Sequence, residues 1–476
     1  MRLSDHKTKI VATIGPASDS EEMLERLIRA GMRIARLNFS HGDFATHAAS
    51  IARIRQAERT TGRSVTIMAD LPGPKMRIGA IEPEPVHLHA GDTFALTTED
   101  IVGDATRVSM SFERLPQVVK AGDRLFLNDG LVQLVVQRVA GTEVYCKVAV
   151  GGELRSRKGL NLPGIDLGIC AFTGRDRACL EFALREGVDA VSQSFVETAA
   201  DIEAVRAATR AAGRPVFVIA KIERAGALEH FDEILTAADG IMVARGDLGV
   251  EVPIEEIAIT QKRLIAKANL VGKPVITATQ MLESMVSSRL PTRAEATDVA
   301  NAILDGTDCV MLSAESAAGK FPEEAVTMLA RIAAATEAHR PKANLDDLRA
   351  LSLERKPSTV AEAIASVVQN ALESVPCAAV FVPTHTGTTA RMVSRFKPPV
   401  WIIAITAQAC VCRGLAFSYG VHPIEGNTDP DNWRSFVRGW LAEHGLPGTI
   451  AMLAAGPSHR RPEANHRIEF IHVGET

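Results

Sequence analysis

Several features that decide the class of a protein are missing from this chain of 476 residues. No apolar run approaches the ~20 residues that a membrane-spanning helix needs. The polar start, MRLSDHKTK, gives no reason to expect a signal peptide. The net charge of −4 is small, so neither nucleic acid nor an anionic membrane is expected as a partner. The pattern GxxxxGK followed by Ser or Thr does not occur, which excludes a P-loop kinase.

Cysteine is also scarce. The seven cysteines stand at irregular spacings, and none of them forms a CxxC pair. This usage is typical of a protein in the reducing cytoplasm and not of a disulfide framework. Cys410 and Cys412 form a single CxC, but a metal site needs more ligands nearby, so we interpret both as packing residues.

What the chain does contain is the composition of a globular protein, with 46% hydrophobic and 23% charged residues. Its length favours about three domains, at roughly 150 residues each. Strand-like and helix-like segments alternate eight times outside one long insertion. This alternation predicts a (β/α)8 barrel. The predicted strands cover residues 8–15, 34–39, 65–70, 190–195, 215–223, 241–246, 275–279 and 309–314.

The insertion follows the third predicted strand, where the sequence LPGP breaks regular structure after Asp70. The next ninety or so residues contain short alternating segments separated by Gly and Asp turns, which predicts a small β-barrel-like domain of antiparallel strands. Its position between a strand and its helix places it above the barrel mouth as a lid, although a decorative insertion gives the same pattern. We predict barrel residues 1–72 and 164–340, lid residues 73–163 and a C-terminal α/β domain at 341–476.

The C-terminal domain is predicted to begin with a polar linker at 341–357 and to contain strands at 379–383, 400–406, 449–454 and 468–473 and helices at 359–373, 388–396 and about 431–443. A hydroxyl-rich loop follows the first of these strands, at the start of a helix. Such a loop is able to cradle a phosphate, although an ordinary helix cap is nearly as good an interpretation. The candidate residues are Thr384, Thr386, Gly387, Thr388 and Thr389.

The strand PVFVIAKIE, which is apolar until its end, carries the most informative pair of residues. Lys221 and Glu223 are two positions apart, so both side chains point to one side of the strand. A structural ion pair explains this pair alone equally well. Other predicted strands, however, also end in polar residues, and the active site of a (β/α)8 barrel lies at the carboxyl ends of its strands. Arg36, Asn38 and Ser40 follow the second strand.

The sixth strand ends in ARGDLG, the seventh in TATQ and the eighth in SAES. Glu223 and Asp247 follow neighbouring strands, and two carboxylates suit one Mg²⁺ ion that completes its shell with water and substrate oxygens. Lys221 and Arg36 would stabilise a phosphoryl group during transfer. The N–H groups of Gly246 and Asp247 open a turn that suits an anionic ligand. Thr277 and Thr279 are expected on one face of the seventh strand, and Ser313 and Glu315 are the polar residues expected at the end of the eighth.

Seven stretches of the chain resemble pyruvate kinase: TKIVATIGPAS, RIARLNFSHG, KGLNLPG, VIAKIE, IMVARGDLGVEVP, ITATQMLESM and PTRAEATDVANAILDGTDCVMLSAES. They span the barrel and the two hinges of the insertion. The resemblance implies Mg²⁺-dependent phosphoryl transfer from phosphoenolpyruvate to ADP, giving pyruvate and ATP, the last step of glycolysis. It also implies a cytoplasmic homotetramer with an allosteric site in the C-terminal domain.

The resemblance assigns roles to individual residues. Lys221 matches the residue that stabilises the transferring phosphoryl group, and Arg36 matches the phosphate-binding arginine. Glu223 and Asp247 match the Mg²⁺ ligands. The substrate carboxylate is expected at Gly246, Asp247 and Thr279, with Thr279 near the carbon that is protonated. The positions that match nucleotide contacts are Arg77, Lys158, Asn38 and His41.

One departure concerns K⁺. Family members that need K⁺ bind it with residues matching Asn38, Ser40, Asp70 and the carbonyl of Leu71, and usually read DTKGPEIR there. This chain reads DLPGPKMR, with Leu71 for threonine and Lys75 for glutamate. The ammonium of Lys75 would supply the charge of the monovalent cation, so we expect that K⁺ is not required. The last C-terminal loop also departs from the family: it contains Glu463, which would repel a phosphate and weakens the prediction of a sugar-phosphate effector.

Two alternatives remain at this stage. The chain would be a non-catalytic metabolite sensor if its site residues were incomplete, but Lys221, Glu223, Asp247, Thr279 and Arg36 are all present. A Mg²⁺-dependent lyase acting on oxaloacetate-like acids would use a similar barrel mouth. Arg77 and Lys158, on the two hinges of the lid, favour a nucleotide co-substrate instead.

Overall fold

A computed structural model describes residues 2–340, 359–457 and 463–474 of the chain. The predicted linker at 341–357 and residues 458–462 of the last loop lie outside the described residues. Within the described ranges, no helix is both long enough and apolar enough to cross a membrane.

Eight parallel strands close into a barrel, as the alternation of strands and helices predicted. The strands consist almost entirely of buried residues, because the barrel interior covers one face and the surrounding helices cover the other. The strands are Lys9–Thr13, Met32–Asn38, Thr66–Leu71, Ala190–Gln193, Phe217–Ile222, Gly240–Ala244, Val275–Ala278 and Cys309–Leu312.

The barrel helices follow their strands in order. The chain between the fifth and sixth strands forms two short helices, Ala225–Glu229 and Phe231–Ala237, which the sequence pattern did not predict. Three other helices begin with a capping box, at Thr173, Thr198 and Thr292. The remaining helices of the barrel are Glu21–Ala30, Phe44–Thr61, Gly174–Arg185, Ala199–Ala211, Arg245–Glu251, Ile257–Leu270, Arg293–Leu304, Ala314–Ala317 and Pro322–Glu337, with 3₁₀ turns at Ile254–Glu256 and Glu283–Val286.

The insertion separates the third strand from its helix and has its own hydrophobic core. It forms a six-stranded sheet and a two-stranded ribbon. All of its strand pairs are antiparallel except one, because Thr93–Thr97 and Arg107–Ser109 run parallel. The other strands are Val86–Leu88, Arg124–Leu127, Val132–Ala140, Glu143–Val150, Gly152–Leu154 and Leu160–Asn161, with one short helix at Leu115–Val118.

The C-terminal domain is a five-stranded sheet with helices, which confirms the predicted α/β class. One strand, Val421–Glu425, was not predicted because Pro423 interrupts its pattern; proline is tolerated there since the strand lies at the sheet edge. The helix Ala409–Leu415 was also missed. The predicted elements appear as strands Ala379–Pro383, Trp401–Thr406, Ile450–Ala455 and Arg467–His472 and as helices Val360–Ser374, Thr388–Ser394 and Trp433–His444.

The C-terminal domain closes the base of the barrel, where the strands begin. Phe417 is fully buried among side chains of the barrel interior, and its ring stacks on Phe217 with centroids 5.1 Å apart. Lys397 and Asp308 form a buried ion pair of 2.6 Å across the same contact. The charged side chains at the strand ends gather at the opposite end of the barrel, because the eight strands are parallel and all end there.

Candidate active site

Lys221 lies at the centre of the barrel mouth, at the end of the fifth strand. Its Nζ donates to Ser194 Oγ at 2.7 Å and contacts Glu223 Oε1 at 2.9 Å and Asp70 Oδ1 at 3.3 Å. Burial alone lowers the pKa of Lys221, but the negative charges of Asp70 and Glu223 outweigh it and raise that pKa above its ordinary value. The structure therefore holds a buried lysine in its charged form.

Asp70 and Arg36 extend this network to the second and third strands. Arg36 donates from Nε to Asp70 Oδ2 at 2.9 Å and from Nη1 to Thr13 Oγ1 at 2.8 Å, and Ser192 Oγ donates to Asp70 Oδ1 at 2.6 Å. Burial raises the pKa of Asp70, but the positive charges of Lys221 and Arg36 lower it by more than burial raises it. The net shift of the Asp70 pKa is therefore downward. Asp70 therefore remains a carboxylate that fixes two cationic side chains.

Glu223 and Asp247 form the expected pair of acids. Glu223 is 2% exposed, and its Oε2 accepts the N–H of Phe195 at 2.7 Å. Burial raises the pKa of Glu223, Lys221 opposes this, and the negative charge of Asp247 raises it again. Lys75 Nζ lies 3.4 Å from Asp247 Oδ1. The two acids thus repel each other in a site that a cation would stabilise.

Thr279 faces the start of the short helix Arg245–Glu251. Its Oγ1 accepts the N–H of Gly246 at 2.7 Å and donates to the carbonyl of Ala278 at 2.6 Å. Thr279 and Gln280 both have positive φ, 69° and 53°. Such a conformation is rare for a β-branched residue and strains the backbone. The strand end therefore presents the Thr279 hydroxyl beside the backbone of Gly246, the residue that precedes the metal-binding candidate Asp247.

Two of the predicted nucleotide residues, Arg77 and Lys158, lie on the segments that join the insertion to the barrel, whereas Asn38 and His41 lie at the end of the second strand and just after it. Arg77 and Gly159 form a β-bridge, which joins the two hinge segments, and Arg77 Nη1 donates to the carbonyl of Arg157 at 3.1 Å. His41 is exposed, yet partial burial lowers its pKa, and the positive charges of Arg77, Arg36 and Lys75 lower it further. Lys158 is half-buried on the second hinge.

The residues that match the family K⁺ site are engaged with each other or with the lysine network. Asn38 Oδ1 accepts the N–H of Ser40 at 3.1 Å, and Asp70 is held by Arg36 and Lys221. Leu71 is fully buried and brings an apolar side chain where the family has a hydroxyl.

Two expectations about strand ends are wrong. Thr277 and Thr279 do not share a face, because the seventh strand ends at Ala278 and Thr277 Oγ1 instead donates to Thr307 at 2.9 Å. Glu315 does not serve the mouth, because it is fully buried and accepts the N–H groups of Leu282 and Ser313 at 3.1 and 2.7 Å. It fixes the loops after the seventh and eighth strands.

Sequence reasoning also missed three members of the network. Ser192 and Ser194 end the fourth strand, where the segment SQSF gives the same polar signal as the other strand ends. Arg245 has a guanidinium that contacts the carbonyl of Thr279 at 2.9 Å and Asp298 Oδ1 at 2.7 Å. No spacing in the sequence relates Arg245 to these partners.

The hydroxyl-rich loop of the C-terminal domain borders a cavity of about 160 Å³, which Thr384, Thr386 and Thr389 help to line. Gly387 has a φ of 79° and donates its N–H to Thr384 Oγ1 at 2.9 Å. Thr386 Oγ1 and Thr388 Oγ1 are 2.8 Å apart. The loop is thus organised by its own hydroxyls at the edge of this cavity.

Comparisons with known proteins agree with this geometry. Residues 5–326 match the family profile described as "Pyruvate kinase, barrel domain", and residues 362–460 match "Pyruvate kinase, alpha/beta domain". The pyruvate kinase of Thermococcus litoralis is 51% identical over 425 residues, which is 89% of this chain and 90% of that protein. The pyruvate kinase of Clostridium acetobutylicum is 41% identical over 456 residues, 94% of this chain and 96% of that protein.

A solved structure shows the same fold. The crystal structure of a pyruvate kinase from Cryptosporidium parvum superposes with a TM-score of 0.89 and 37% sequence identity, covering 99% of this chain and 97% of that one. The barrel, the mouth residues and these matches over nearly the whole length lead to one conclusion. The chain belongs to the pyruvate kinase family and is a phosphotransferase that moves the phosphoryl group of phosphoenolpyruvate to ADP.

Proposed function

We propose that this reaction takes place at the barrel mouth, with Lys221 and Arg36 as the groups that stabilise the transferring phosphoryl. The observation that carries the proposal is the charged, buried amine of Lys221 between Glu223 and Asp70. During transfer, the bond from phosphorus to the enol oxygen breaks and a bond to a terminal oxygen of ADP forms, which leaves the enolate of pyruvate. A preorganised cation in a dry site stabilises both negative charges without having to reorient.

The acids Glu223 and Asp247 suit a Mg²⁺ ion, which usually takes one or two protein carboxylates and fills its shell with water and substrate oxygens. Their mutual repulsion and the ammonium of Lys75 beside Asp247 fit a site made for a cation. When bound, Mg²⁺ would supply a Lewis acid for the phosphoryl and enolate oxygens. The protein side chains hold the acids in place: Phe195 N–H fixes Glu223 while Lys221 bridges it to Asp70.

Gly246, Asp247 and Thr279 are assigned to the substrate carboxylate and to the final proton transfer. The enolate becomes pyruvate when its methylene carbon takes up a proton. The hydroxyl of Thr279 lies beside the Gly246 N–H at the edge of the mouth, where it is able to pass a proton from solvent to that carbon. This hydroxyl is therefore the proposed proton relay.

The nucleotide is assigned to the hinge side of the mouth, with Arg77, Lys158, Asn38 and His41. Support comes from the positive surroundings of His41, whose pKa is lowered by partial burial and by Arg77, Arg36 and Lys75. Such a group of cations favours an anionic phosphate chain. A lid whose two hinge segments are held together by the Arg77–Gly159 bridge would close over the nucleotide and exclude water.

We further infer that K⁺ is not required. The ammonium of Lys75, 3.4 Å from Asp247, supplies a fixed positive charge next to the proposed Mg²⁺ site. The oxygens of Asn38 and Asp70 already accept hydrogen bonds from Ser40 and Arg36. An added monovalent cation would have to displace these contacts.

The cavity of the C-terminal domain is the proposed effector site, with the hydroxyl-rich loop on one side and Arg467 on another. The buried carboxylate of Asp429 also borders the cavity and disfavours a highly charged ligand. A sugar phosphate is the proposed class. The test is a panel of sugar phosphates in the assay; a change of threefold or more in the half-saturating phosphoenolpyruvate concentration supports the site, and no change rejects it.

A homotetramer is proposed from two separate exposed apolar surfaces. One lies on the barrel, at Ile254 and Ile259, which are 72% and 59% exposed. The other lies on the C-terminal domain, at Val360 and Val367 of one helix face and Phe470 of the sheet-edge strand. Two different self-complementary surfaces generate a closed tetramer of dihedral symmetry. Light scattering of the purified protein gives its mass directly.

The domain division at residues 1–72 with 164–340, 73–163 and 341–476 also stays a proposal, supported by separate hydrophobic cores in the three regions. The cytoplasmic location is inferred from the free state of all seven cysteines.

One assay tests the central assignment against its alternatives. Purified protein is incubated with phosphoenolpyruvate and Mg²⁺, with and without ADP, and pyruvate is measured. We expect pyruvate and ATP in equal amounts only with ADP. Pyruvate without ADP would indicate a phosphatase. No pyruvate in either case would leave the metabolite sensor and the lyase, and only the lyase would form pyruvate from added oxaloacetate.

A further inference from the structure

The geometry points to Arg245 as a positioning residue: we propose that its guanidinium holds the backbone of Thr279 in the left-handed conformation that presents the Thr279 hydroxyl to the substrate. This inference rests on the proposed function of Thr279. It concerns a residue that acts through its neighbour, Thr279.

The first observation is the strained strand end. Thr279 and Gln280 are consecutive non-glycine residues with φ of 69° and 53°, directly after the strand Val275–Ala278. A β-branched residue in this region is an outlier, and it persists only where the surrounding contacts fix it. Glycine would be the ordinary residue at such a position. A threonine at this position therefore indicates a role for its hydroxyl. Contacts with neighbouring residues must also offset the free energy of the strained backbone.

The second observation is the set of contacts that Arg245 makes. Its Nη2 donates to the carbonyl of Thr279 at 2.9 Å and lies 2.8 Å from Met281 Sδ, and its Nε is 3.4 Å from the carbonyl of Ala278. The guanidinium thus spans the whole strained segment. Its side chain is 12% exposed, so these hydrogen bonds are little screened by water.

The third observation is the anchor on the other side of the guanidinium. Nη1 donates to Asp298 Oδ1 at 2.7 Å and to Gln261 Oε1 at 3.3 Å. Asp298 belongs to the helix Arg293–Leu304, and Gln261 to the helix Ile257–Leu270. One side of the planar guanidinium is therefore bound by residues of two helices, and its other side binds the carbonyls of Ala278 and Thr279. Lysine would not reproduce this, because its ammonium is a single point that cannot reach both sides at once.

Arg245 and Gly246 each donate a hydrogen bond to Thr279, one to its carbonyl and one to its hydroxyl. The side chain of Arg245 binds the Thr279 carbonyl, and the N–H of the next residue, Gly246, binds the Thr279 hydroxyl at 2.7 Å. The hydrogen bond to the carbonyl sets the backbone, and the hydrogen bond to the hydroxyl sets the rotamer. Without the guanidinium on its carbonyl, the loop would relax toward ordinary φ values and the hydroxyl would move away from its position.

The test uses Arg245→Lys with a matched control, Arg206→Lys. Arg206 is similarly bound, with Nε donating to the carbonyl of Ala237 at 2.7 Å and Nη2 2.8 Å from Asp239 Oδ1, but it lies at the base end of the sixth strand. The readout is the exchange of pyruvate methyl protons with D₂O, with Mg²⁺ and ATP present, followed by NMR. We expect a loss of about 100-fold in exchange for Arg245→Lys, the cost of a displaced reacting group, and less than a twofold change for Arg206→Lys.

A second-site variant separates positioning from a general loss of stability. Gln280→Gly makes positive φ favourable at one of the two strained positions. In the Arg245→Lys background it should restore methyl exchange at least fivefold. Hydrogen–deuterium exchange of the backbone at residues 279–283 should rise in Arg245→Lys and remain at the parental rate in Arg206→Lys. Parental methyl exchange in Arg245→Lys, or no rescue by glycine, would overturn the inference.

Thr279→Ala distinguishes this inference from the proposed function. If Thr279→Ala exchanges methyl protons as fast as the parent, the proton role of Thr279 is wrong and the role of Arg245 fails with it. If Thr279→Ala is slow but Arg245→Lys is not, only the role of Arg245 is rejected. If Thr279→Ala and Arg245→Lys are both slow in methyl exchange, and Gln280→Gly restores exchange in Arg245→Lys, the roles of Thr279 and Arg245 are both supported.

Discussion

Two lysines at opposite ends of the barrel are buried to nearly the same extent, but they differ in the groups that they contact and in their pKa values. Lys221, at the mouth, is 8% exposed, and Lys9, at the base, is 6% exposed. Lys221 contacts two carboxylates. Lys9 Nζ donates to the carbonyl of Val421 at 2.7 Å and lies 5.0 Å from the Trp401 ring.

The consequence is a difference in charge. Burial lowers the pKa of both lysines, but Asp70 and Glu223 reverse this at Lys221 and raise its pKa. At Lys9, burial and the neighbouring Arg33 lower the pKa to about 7, against an ordinary 10.5, and Asp308 and Glu337 only partly oppose them. Burial therefore does not by itself decide the charge of a lysine. At Lys221 two carboxylates keep the amine charged where water is excluded.

The largest effect is expected at the acids of the mouth. Glu223→Gln should lower the turnover number by about 10³-fold at millimolar Mg²⁺, because it removes a ligand charge and a partner of Lys221. The measurement is steady-state activity over a wide range of Mg²⁺ concentration, where the variant should need far more metal for its residual rate.

Glu315→Gln is the matched control, since Glu315 is equally buried but accepts only backbone N–H groups. We expect it to lower the thermal midpoint while its Mg²⁺ requirement stays parental. An equal Mg²⁺ requirement for Glu223→Gln and Glu315→Gln would remove the distinction between catalytic and structural acids.

The next effect concerns Lys75, a third lysine, which is 33% exposed beside Asp247. The parent should show less than a twofold change in activity when KCl is added to a tetramethylammonium buffer. Lys75→Glu should lose about 100-fold without K⁺, because two carboxylates then face each other without a cation, and should regain activity with KCl. A manyfold activation of the parent by KCl would refute the proposed role of Lys75.

A smaller effect is expected in the pH dependence of stability. The pKa of Lys9 is about 7 in the folded chain and 10.5 in its ordinary state. Below pH 7 both states hold the proton, so this group adds no pH dependence. Between pH 7 and 10.5 the unfolded state binds more protons, so the free energy of unfolding rises with pH. From pH 7 to 8.5 the gain is about 2 kcal/mol.

Lys9→Met should abolish this rise, which is measured as the difference between the urea midpoints of parent and variant across that pH range. Activity of the variant should stay within threefold of the parent, because Lys9 lies at the end of the barrel away from the mouth. Parallel pH profiles for parent and variant would show that Lys9 is charged at neutral pH in the folded protein.

Much of the barrel and of its mouth was predictable from the sequence. The strand–helix alternation predicted the barrel, because each unit is a local pattern of apolar and polar residues. The placement of Lys221, Glu223 and Asp247 at the mouth was also predictable, since each lies at or shortly after the end of a strand and the barrel brings strand ends together. The predicted strand 309–314 extended too far: the strand ends at Leu312, and the N–H of Ser313 leaves the sheet to donate to Glu315 Oε2 at 2.7 Å.

Contacts that join distant segments were not predictable. The stacking of Phe417 on Phe217, the clamp of Arg245 on Thr279 and the positive φ of Thr279 depend on how elements pack in three dimensions. The edge strand Val421–Glu425 was hidden by Pro423, which a sequence pattern counts against a strand. Glu315 was misassigned because a buried acid that caps backbone N–H groups has the same sequence signal as a catalytic one.

The most direct test of the central claim is a single-turnover measurement on Lys221→Met, with Lys9→Met as the matched control. Enzyme in excess over phosphoenolpyruvate, with saturating Mg²⁺ and ADP, is quenched at short times and ATP is quantified, so that product release does not limit the rate. The account predicts that ATP formation falls by about 10³-fold in Lys221→Met and stays within threefold of the parent in Lys9→Met. Equal rates of ATP formation in the two variants would contradict it.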